Sequence, residues 1–344
     1  MAQGPRQDIS NIYTAEHSQT FAGSFRDIYL SAKEDSQTSY EREARRCRNA
    51  LAATNPKVVR ESLISRLGVR VPGTFEWIAD NDDFQAWQSG DSGSRLLWIS
   101  GGPATGKTTL AIYLTEELQR CTVFGYDLVF FFNESGHGGS GSAVDVLRSL
   151  VHQMITLRPD LVKHALPYFE DSETTRKSLA SLETLWVIFQ DLVQDADLGN
   201  VLCVVDGLDQ CEESGVQQLV PKLTRLLAVH SPDSPVQSRF CLLIVSDHIN
   251  GLYGCPRIRL DDVDNAAKIA EDIKLFIKTR TRELYGIKGV DDGLVNDIQI
   301  ELLEREEVTY QWISRAVKDF LGSHSVVEVR EKLSTLIGGW TIHF

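Results

Sequence analysis

Excess positive charge is missing from this chain of 344 residues: 35 Lys and Arg face 48 Asp and Glu, for a formal net charge of −13. That balance argues against general affinity for nucleic acid or acidic membrane surfaces. The first thirty residues lack a basic start followed by an apolar stretch, so no secretory signal is expected. No apolar run reaches the ~20 residues that a membrane-spanning helix needs. The expectation is therefore a soluble protein of the cytoplasm. The six cysteines (Cys47, Cys121, Cys203, Cys211, Cys241, Cys255) form no CxxC pair, and no His/Cys group has zinc spacing. Several lie inside apolar runs (VLCVVD, FCLLIV) and read as buried, reduced thiols. No repeat with a period of about 20–50 residues is present, which excludes ankyrin, TPR and WD40 arrays. What remains is ordinary globular composition, 42% apolar and 24% charged, in a chain long enough for two or three domains with real cores.

Residues 1–40 are polar and aperiodic and read as a flexible N-terminal tail. One piece of it, NIYTAEHSQTFAGSF (11–25), mixes aromatic and small polar residues with little net charge. It is a candidate for β-stacking, with a floppy tail as the alternative. Residues 41–90 read as a helical linker region. In it YEREARRCRNALAA gives a charged helix over about 40–65, and TFEWIADNDDFQAW (74–87) a short helical hairpin with core aromatics. From 91 to 262 continuous apolar strands alternate with amphipathic helices. Strands are expected at 95–100, 128–133, 201–206, 240–246 and 256–260, and helices at 107–120, 142–157, 181–196 and 216–230. Apolar strands separated by helices indicate a parallel sheet covered on both faces, an α/β doubly wound domain. Residues 263–344 carry no strand signal and read as a small helical domain of four helices.

The chemistry concentrates in WISGGPATGKTTLAIYL (98–114). Residues Gly101, Gly102, Pro103, Ala104, Thr105, Gly106, Lys107 and Thr108 fit G-x-x-x-x-G-K-[ST], after a strand and before a helix. A glycine-rich bend lets backbone N–H groups turn inward around phosphate oxygens, and the following helix aims its unpaired N–H groups at the same anion. Lys107 is placed to reach the β- and γ-phosphates. The Thr108 hydroxyl is a candidate Mg²⁺ ligand, and Thr109 extends the phosphate-binding set. A second signal lies in VLCVVDGLDQCEE (201–213). Asp206, closing an apolar strand, is placed to hold the water shell of Mg²⁺, and Asp209 to orient or activate an attacking water.

The loop, followed by an apolar strand and Asp206-Gly207-Leu208-Asp209, resembles the NACHT subgroup of STAND signal-transduction NTPases. The small residue after the Mg²⁺ aspartate and the acid two positions further carry that resemblance. TFEWIADNDDFQAW, DVLRSLVHQMITLRPDL and ETLWVIFQDLVQD are similar to fungal members with a nephrocystin-3-like N-terminal half, over about 45–340. The resemblance implies a P-loop NTPase fold and a regulated switch. Such a switch binds ATP or GTP with Mg²⁺ in a closed state, hydrolyses it slowly or weakly, opens on nucleotide exchange, self-associates on activation and serves self/non-self recognition or programmed cell death, through an effector that no motif identifies. It further implies that Asp209 and its neighbour Gln210 hold the catalytic positions.

The chain departs from the family pattern in four ways. Gln210 replaces a second acid and cannot take a proton from water. Ser246-Asp247-His248 replaces Ser-Arg-Pro, setting a carboxylate where an arginine would sense the γ-phosphate. Val308-Thr309-Tyr310-Gln311-Trp312 keeps only the tryptophan of its counterpart. The chain also stops where a winged helix and a repeat array would begin. A hydrolysis-deficient nucleotide-binding scaffold is therefore the main alternative. A small-molecule kinase would need arginines clustered near the phosphates, whereas Arg148 and Arg176 stand alone in the sequence. His137, in NESGHGGSGS, reads as a surface-loop residue or a cover over the nucleotide. His248 reads as a strand-end loop residue or a phosphate contact, Trp98 as core, and the helix at 216–230 as cover for the sheet.

Overall fold

The computed structural model describes residues 39–89, 95–133, 141–228, 239–305 and 308–337. The segment 11–25 and His137 lie outside these described residues. At the N-terminal end the single helix expected over 40–65 is two helices, α1 (39–51) and α2 (Pro56–Leu67). Pro56 has no N–H with which to continue α1. It starts α2 instead, where Asn55 caps by accepting from Lys57 N. A short turn at Glu76–Ile78 and helix α3 (Asp82–Ser89) make up the expected hairpin.

The alternating region gives β1 (Leu96–Ser100), α4 (Lys107–Arg120), β2 (Tyr126–Phe132), α5 (Ala143–Leu157), α6 (Ser172–Ala180), α7 (Leu182–Gln194), β3 (Asn200–Asp206), α8 (Glu213–Leu227), β4 (Arg239–Ser246) and β5 (Arg257–Arg259). Four helices follow: α9 (Val263–Thr281), α10 (Asp292–Leu303), α11 (Tyr310–Leu321) and α12 (Val326–Ile337). Helix α6 escaped the sequence reading because SETTRKSLA offers no apolar stripe. Its signal is the cap, Asp171 accepting from Glu173 N and Thr174 N. Helix α5 starts at a capping box between Ser142 and Asp145.

The five strands lie in the order β2-β3-β4-β1-β5, and all pairs are parallel. Period-2 alternation sends successive side chains to opposite faces. On one face Leu96, Trp98, Val129, Phe131, Val201, Cys203, Val205, Phe240, Leu242 and Ile244 pack under α5, α7 and α8. On the other, Leu97, Ile99, Phe130, Phe132, Leu202, Val204, Leu243 and Val245 pack under α4 and share one core with α9 to α12. Both faces are covered over the middle of the sheet, which is why β1, β3 and β4 read as apolar runs, whereas the edge strand β5 (Arg-Ile-Arg) buries only Ile258. The fold class read from the sequence is the one observed. Trp98 is fully buried, and all six cysteines are free thiols. Burial pushes the Cys47 and Cys211 thiols up to about 12, far from the thiolate form. Among the described residues no helix is long and apolar enough to cross a membrane.

Candidate nucleotide site at the strand ends

The parallel arrangement delivers the carboxyl ends of β1, β3 and β4 to one rim, the place where open α/β sheets bind ligands. The glycine-rich loop leaves β1 at Gly101, whose N–H donates to Ser246 O at the end of β4 (3.3 Å). Gly106, at φ +81°, turns the chain into α4. A Cβ there would lie 2.8 Å from the Tyr310 ring and 3.2 Å from Phe75 Cζ, so glycine is required by both conformation and space. Tyr310 opens α11, packing 5.3 Å from Phe75 and 5.0 Å from Phe276 between ring centroids. The helical region thus touches the loop directly. Neither Phe75 nor Tyr310 was singled out from the sequence as part of this site. Ala104 adopts φ +68°, a left-handed conformation that a side chain disfavours, at the exposed tip of the loop.

Lys107 begins α4 and folds back so that Nζ donates to the carbonyl oxygens of Gly101 and Gly102, both at 2.7 Å. These are the contacts of a cation gathering the loop around itself, and an incoming anion must compete with them. Thr108, the next residue, donates its hydroxyl hydrogen bond to Asp206. Asp206 is the last residue of β3 and only 3% exposed. Burial, reinforced by the neighbouring Asp209, pushes its carboxyl up to about 7, with Thr108 and Lys107 pulling the other way. Asp209 is also raised, chiefly by burial; it accepts a backbone hydrogen bond from Asp247, while its Oδ1 is buried with no partner. Gln210 lies beside it, exposed, with its side chain near Gly207.

Lys107, Thr108, Asp206 and Asp209 are therefore brought together, as the spacing implied. Gly102, Pro103 and Ala104 form the more open part of the loop, and Thr105 closes it by donating to Gly102 O (3.0 Å). Thr109 lies half-buried in the first turn of α4. Among the described residues no group of three or more His, Cys, Asp and Glu forms a cage for a metal. The donor set fits Mg²⁺ nonetheless. That ion takes hard oxygen ligands, often one or two from protein, and here a hydroxyl and a buried carboxylate face the same space beside an orphaned carboxylate oxygen.

Asn133, just past β2, was not singled out from the sequence. Its Nδ2 donates to Gly207 O (3.1 Å), and its Oδ1 accepts from Gly141 N (3.1 Å), bracing the turn that carries Asp209. Gly207 has φ +77°, and a Cβ would fall 2.9 Å from Asn133 Cβ. Gly207→Ala should therefore cost about 2–4 kcal/mol of unfolding free energy, summing left-handed strain and overpacking. Gly102→Ala, with nothing within 4 Å of its Cβ, should change stability by less than about 0.5 kcal/mol. Urea midpoints of the two variants check the contrast.

The chain is similar to several known proteins. The curated protein named vegetative incompatibility protein HET-E-1, of Podospora anserina, is 27% identical over 273 residues. The match covers 78% of this chain but 20% of that protein, so the chain spans about a fifth of the relative's length. Among solved structures, C. elegans PCH-2 matches with TM-score 0.40 at 11% identity, covering 82% of this chain and 69% of that one. A DNA replication initiation factor matches with TM-score 0.40 at 14% identity, covering 78% and 66%. The family described as Nephrocystin 3, N-terminal, matches residues 73–246, from the segment before α3 to the last residue of β4. That span is half of the chain and bears out the nephrocystin-like part of the resemblance: the chain belongs to the Nephrocystin 3, N-terminal family.

Proposed function

We propose that the chain is a nucleotide-operated signalling switch that binds ATP or GTP with Mg²⁺ and hydrolyses it slowly. The observation that carries this reading is the convergence of Lys107, Thr108 and Asp206 at one rim of the sheet. The loop amides and Lys107 bind the phosphates, and Thr108 and Asp206 hold Mg²⁺, which supplies neutralisation of phosphate charge. Asp209 orients the attacking water. Gln210, unable to accept a proton, positions that water through hydrogen bonds only, which limits the rate. In this reading nucleotide exchange opens the protein for self-association and for an effector, in the cytoplasm. The name of the Podospora relative, a vegetative incompatibility protein, supports a role in self/non-self recognition; we extend the proposal to programmed cell death as the alternative role.

The second reading, a scaffold that binds nucleotide without hydrolysing it, is favoured by Gln210 and by Asp247 at the end of β4. One experiment separates the two. Purified protein is denatured and the released nucleotide identified, and single-turnover hydrolysis is compared with Asp206→Ala. Bound nucleotide and turnover above the variant are expected. Bound nucleotide without such turnover leaves the scaffold, and failure to bind any nucleotide ends both readings.

A further inference from the structure

Three arginines on three different helices meet at one cleft that shares no residue with the nucleotide site. The cleft, of about 780 Å³, is open to solvent between α1 and α6, and its lining includes Arg46 of α1, Arg148 of α5 and Arg176 of α6. Helical spacing sets the two walls. Arg46 and Ala50, four residues apart, share one face of α1, and Ser172 with Arg176 and Thr175 with Leu179 share the cleft-lining face of α6. Arg148 is fixed. Its Nε donates to Leu51 O at 3.0 Å, and its Nη2 to the carbonyl oxygens of Ala50 and Ala52 at 2.8 and 3.1 Å, which caps the C-terminal end of α1. Its Nη1 has no partner among the described residues. Arg46 and Arg176 are exposed and form no hydrogen bond or ion pair among the described residues.

The nearby acids do not quench this charge. Asp171 gives Oδ1 to Glu173 N (2.8 Å) and Thr174 N (2.9 Å), and Oδ2 to Thr174 Oγ1 (2.7 Å). Glu173 pairs with Lys177 at 2.7 Å. The positive field reaches His152, one turn along α5, whose imidazolium is disfavoured first by burial and then by Arg148 and Arg48. Three guanidinium groups against the carboxylates of Glu170 and Asp171 leave the lining with one formal positive charge. A single phosphate monoester, at about −1.5 to −2, is a load of that size, whereas a polyphosphate would stay largely uncompensated. A phosphate also offers three terminal oxygens to donors that arrive from three helices, where a carboxylate offers two. The space is far larger than a phosphate, and Ala50, Phe169 and Leu179 give it an apolar wall, so the bearer of the phosphate is an organic chain that continues past the charged group.

We propose that this cleft docks a phosphorylated peptide segment of a partner protein, with the phosphate held by Arg46, Arg148 and Arg176 and the flanking side chains laid against Phe169 and Leu179. The site stands apart from the glycine-rich loop, so the nucleotide reading can fail without touching it.

The test uses the full chain and a degenerate peptide pool with phosphoserine, phosphothreonine or phosphotyrosine at one fixed position. The controls are the same pool after phosphatase and a pool with glutamate at that position. The parent should retain the phosphorylated pool at least about tenfold better than either control, less so as salt is raised. Arg46→Gln and Arg176→Gln, at side chains that hold nothing else, should each weaken retention about tenfold and leave binding of Mg²⁺-nucleotide unchanged. Arg148 is left in place because α1 depends on it. Equal retention of the glutamate pool would overturn the assignment to phosphate, and retention of no pool would overturn the site. Displacement of the peptides by inositol hexakisphosphate at a lower concentration than the pool itself requires would make the cleft a small-polyanion site and end the peptide proposal. Loss of retention in Lys107→Ala but not in the arginine variants would place the phosphate in the glycine-rich loop and overturn it as well.

Discussion

Lys107→Ala should bind Mg²⁺-nucleotide about a hundredfold more weakly than the parent, a loss of about 2–3 kcal/mol for a charge-assisted contact to phosphate. In the unliganded protein Lys107 spends its hydrogen bonds on two loop carbonyls, at 2.7 Å each. Its removal relaxes a half-exposed loop and leaves both apolar cores untouched, so the unliganded melting temperature should move little. The two readouts then separate. Thermal stabilisation by added nucleotide, which follows RT ln(1 + [L]/Kd), should collapse while the baseline melt stays in place. A Lys107→Ala protein that retains the parent's nucleotide occupancy would refute the assignment of the loop.

The second large effect concerns Asp206. Its folded-state pKa of about 7 lies far above the ordinary carboxylate range, and Asp209 is displaced in the same direction. A carboxyl raised in the folded state holds a proton that the unfolded chain releases. The associated stability is fully present below about pH 4 and is lost as pH rises through about 7. The unliganded parent should therefore carry a destabilisation on the order of 2–4 kcal/mol at pH 8 that Asp206→Asn lacks. In thermal melts from pH 4 to 8 without divalent metal, the variant should overtake the parent by several degrees at the alkaline end. Mg²⁺ with nucleotide should reverse the order, because the carboxylate that burial penalises is the one a cation rewards. Parallel pH profiles for parent and variant would contradict the account.

Much of this was legible in the sequence because the signals are local. The loop has fixed spacing, and strands buried on both faces read as apolar runs. Helix α4 begins and ends where the residues themselves indicate, at Lys107 and Arg120. The convergence of Lys107 with Asp206 followed from topology, since parallel strands put all their carboxyl ends on one rim. Contacts set only by tertiary packing were not legible. Nothing in Tyr310 announces that its ring limits the space at Gly106, or in Asn133 that it braces Gly207 from another strand. Arg148 and Arg176 stand apart in sequence, yet with Arg46 they line one cleft of about 780 Å³ beside α1 and α6. Arg148 is already engaged there, donating to the carbonyl oxygens of Ala50, Leu51 and Ala52 at the end of α1. Helix α6 was missed because a polar helix announces itself only by its cap.

The strand order has a last consequence, for how the protein is made. Strand β1 has no neighbour among the strands that directly follow it. Leu96 pairs with Leu242 and Trp98 with Arg257. On a ribosome, the loop strand emerges early and then waits, its edges without native partners, until β4 and β5 have been synthesised. Loop closure over so long a segment is slow, and an exposed apolar strand in a nascent chain invites aggregation. Chaperone engagement should therefore be heaviest over that interval of translation, and end when Ser246 and Arg259 clear the exit tunnel.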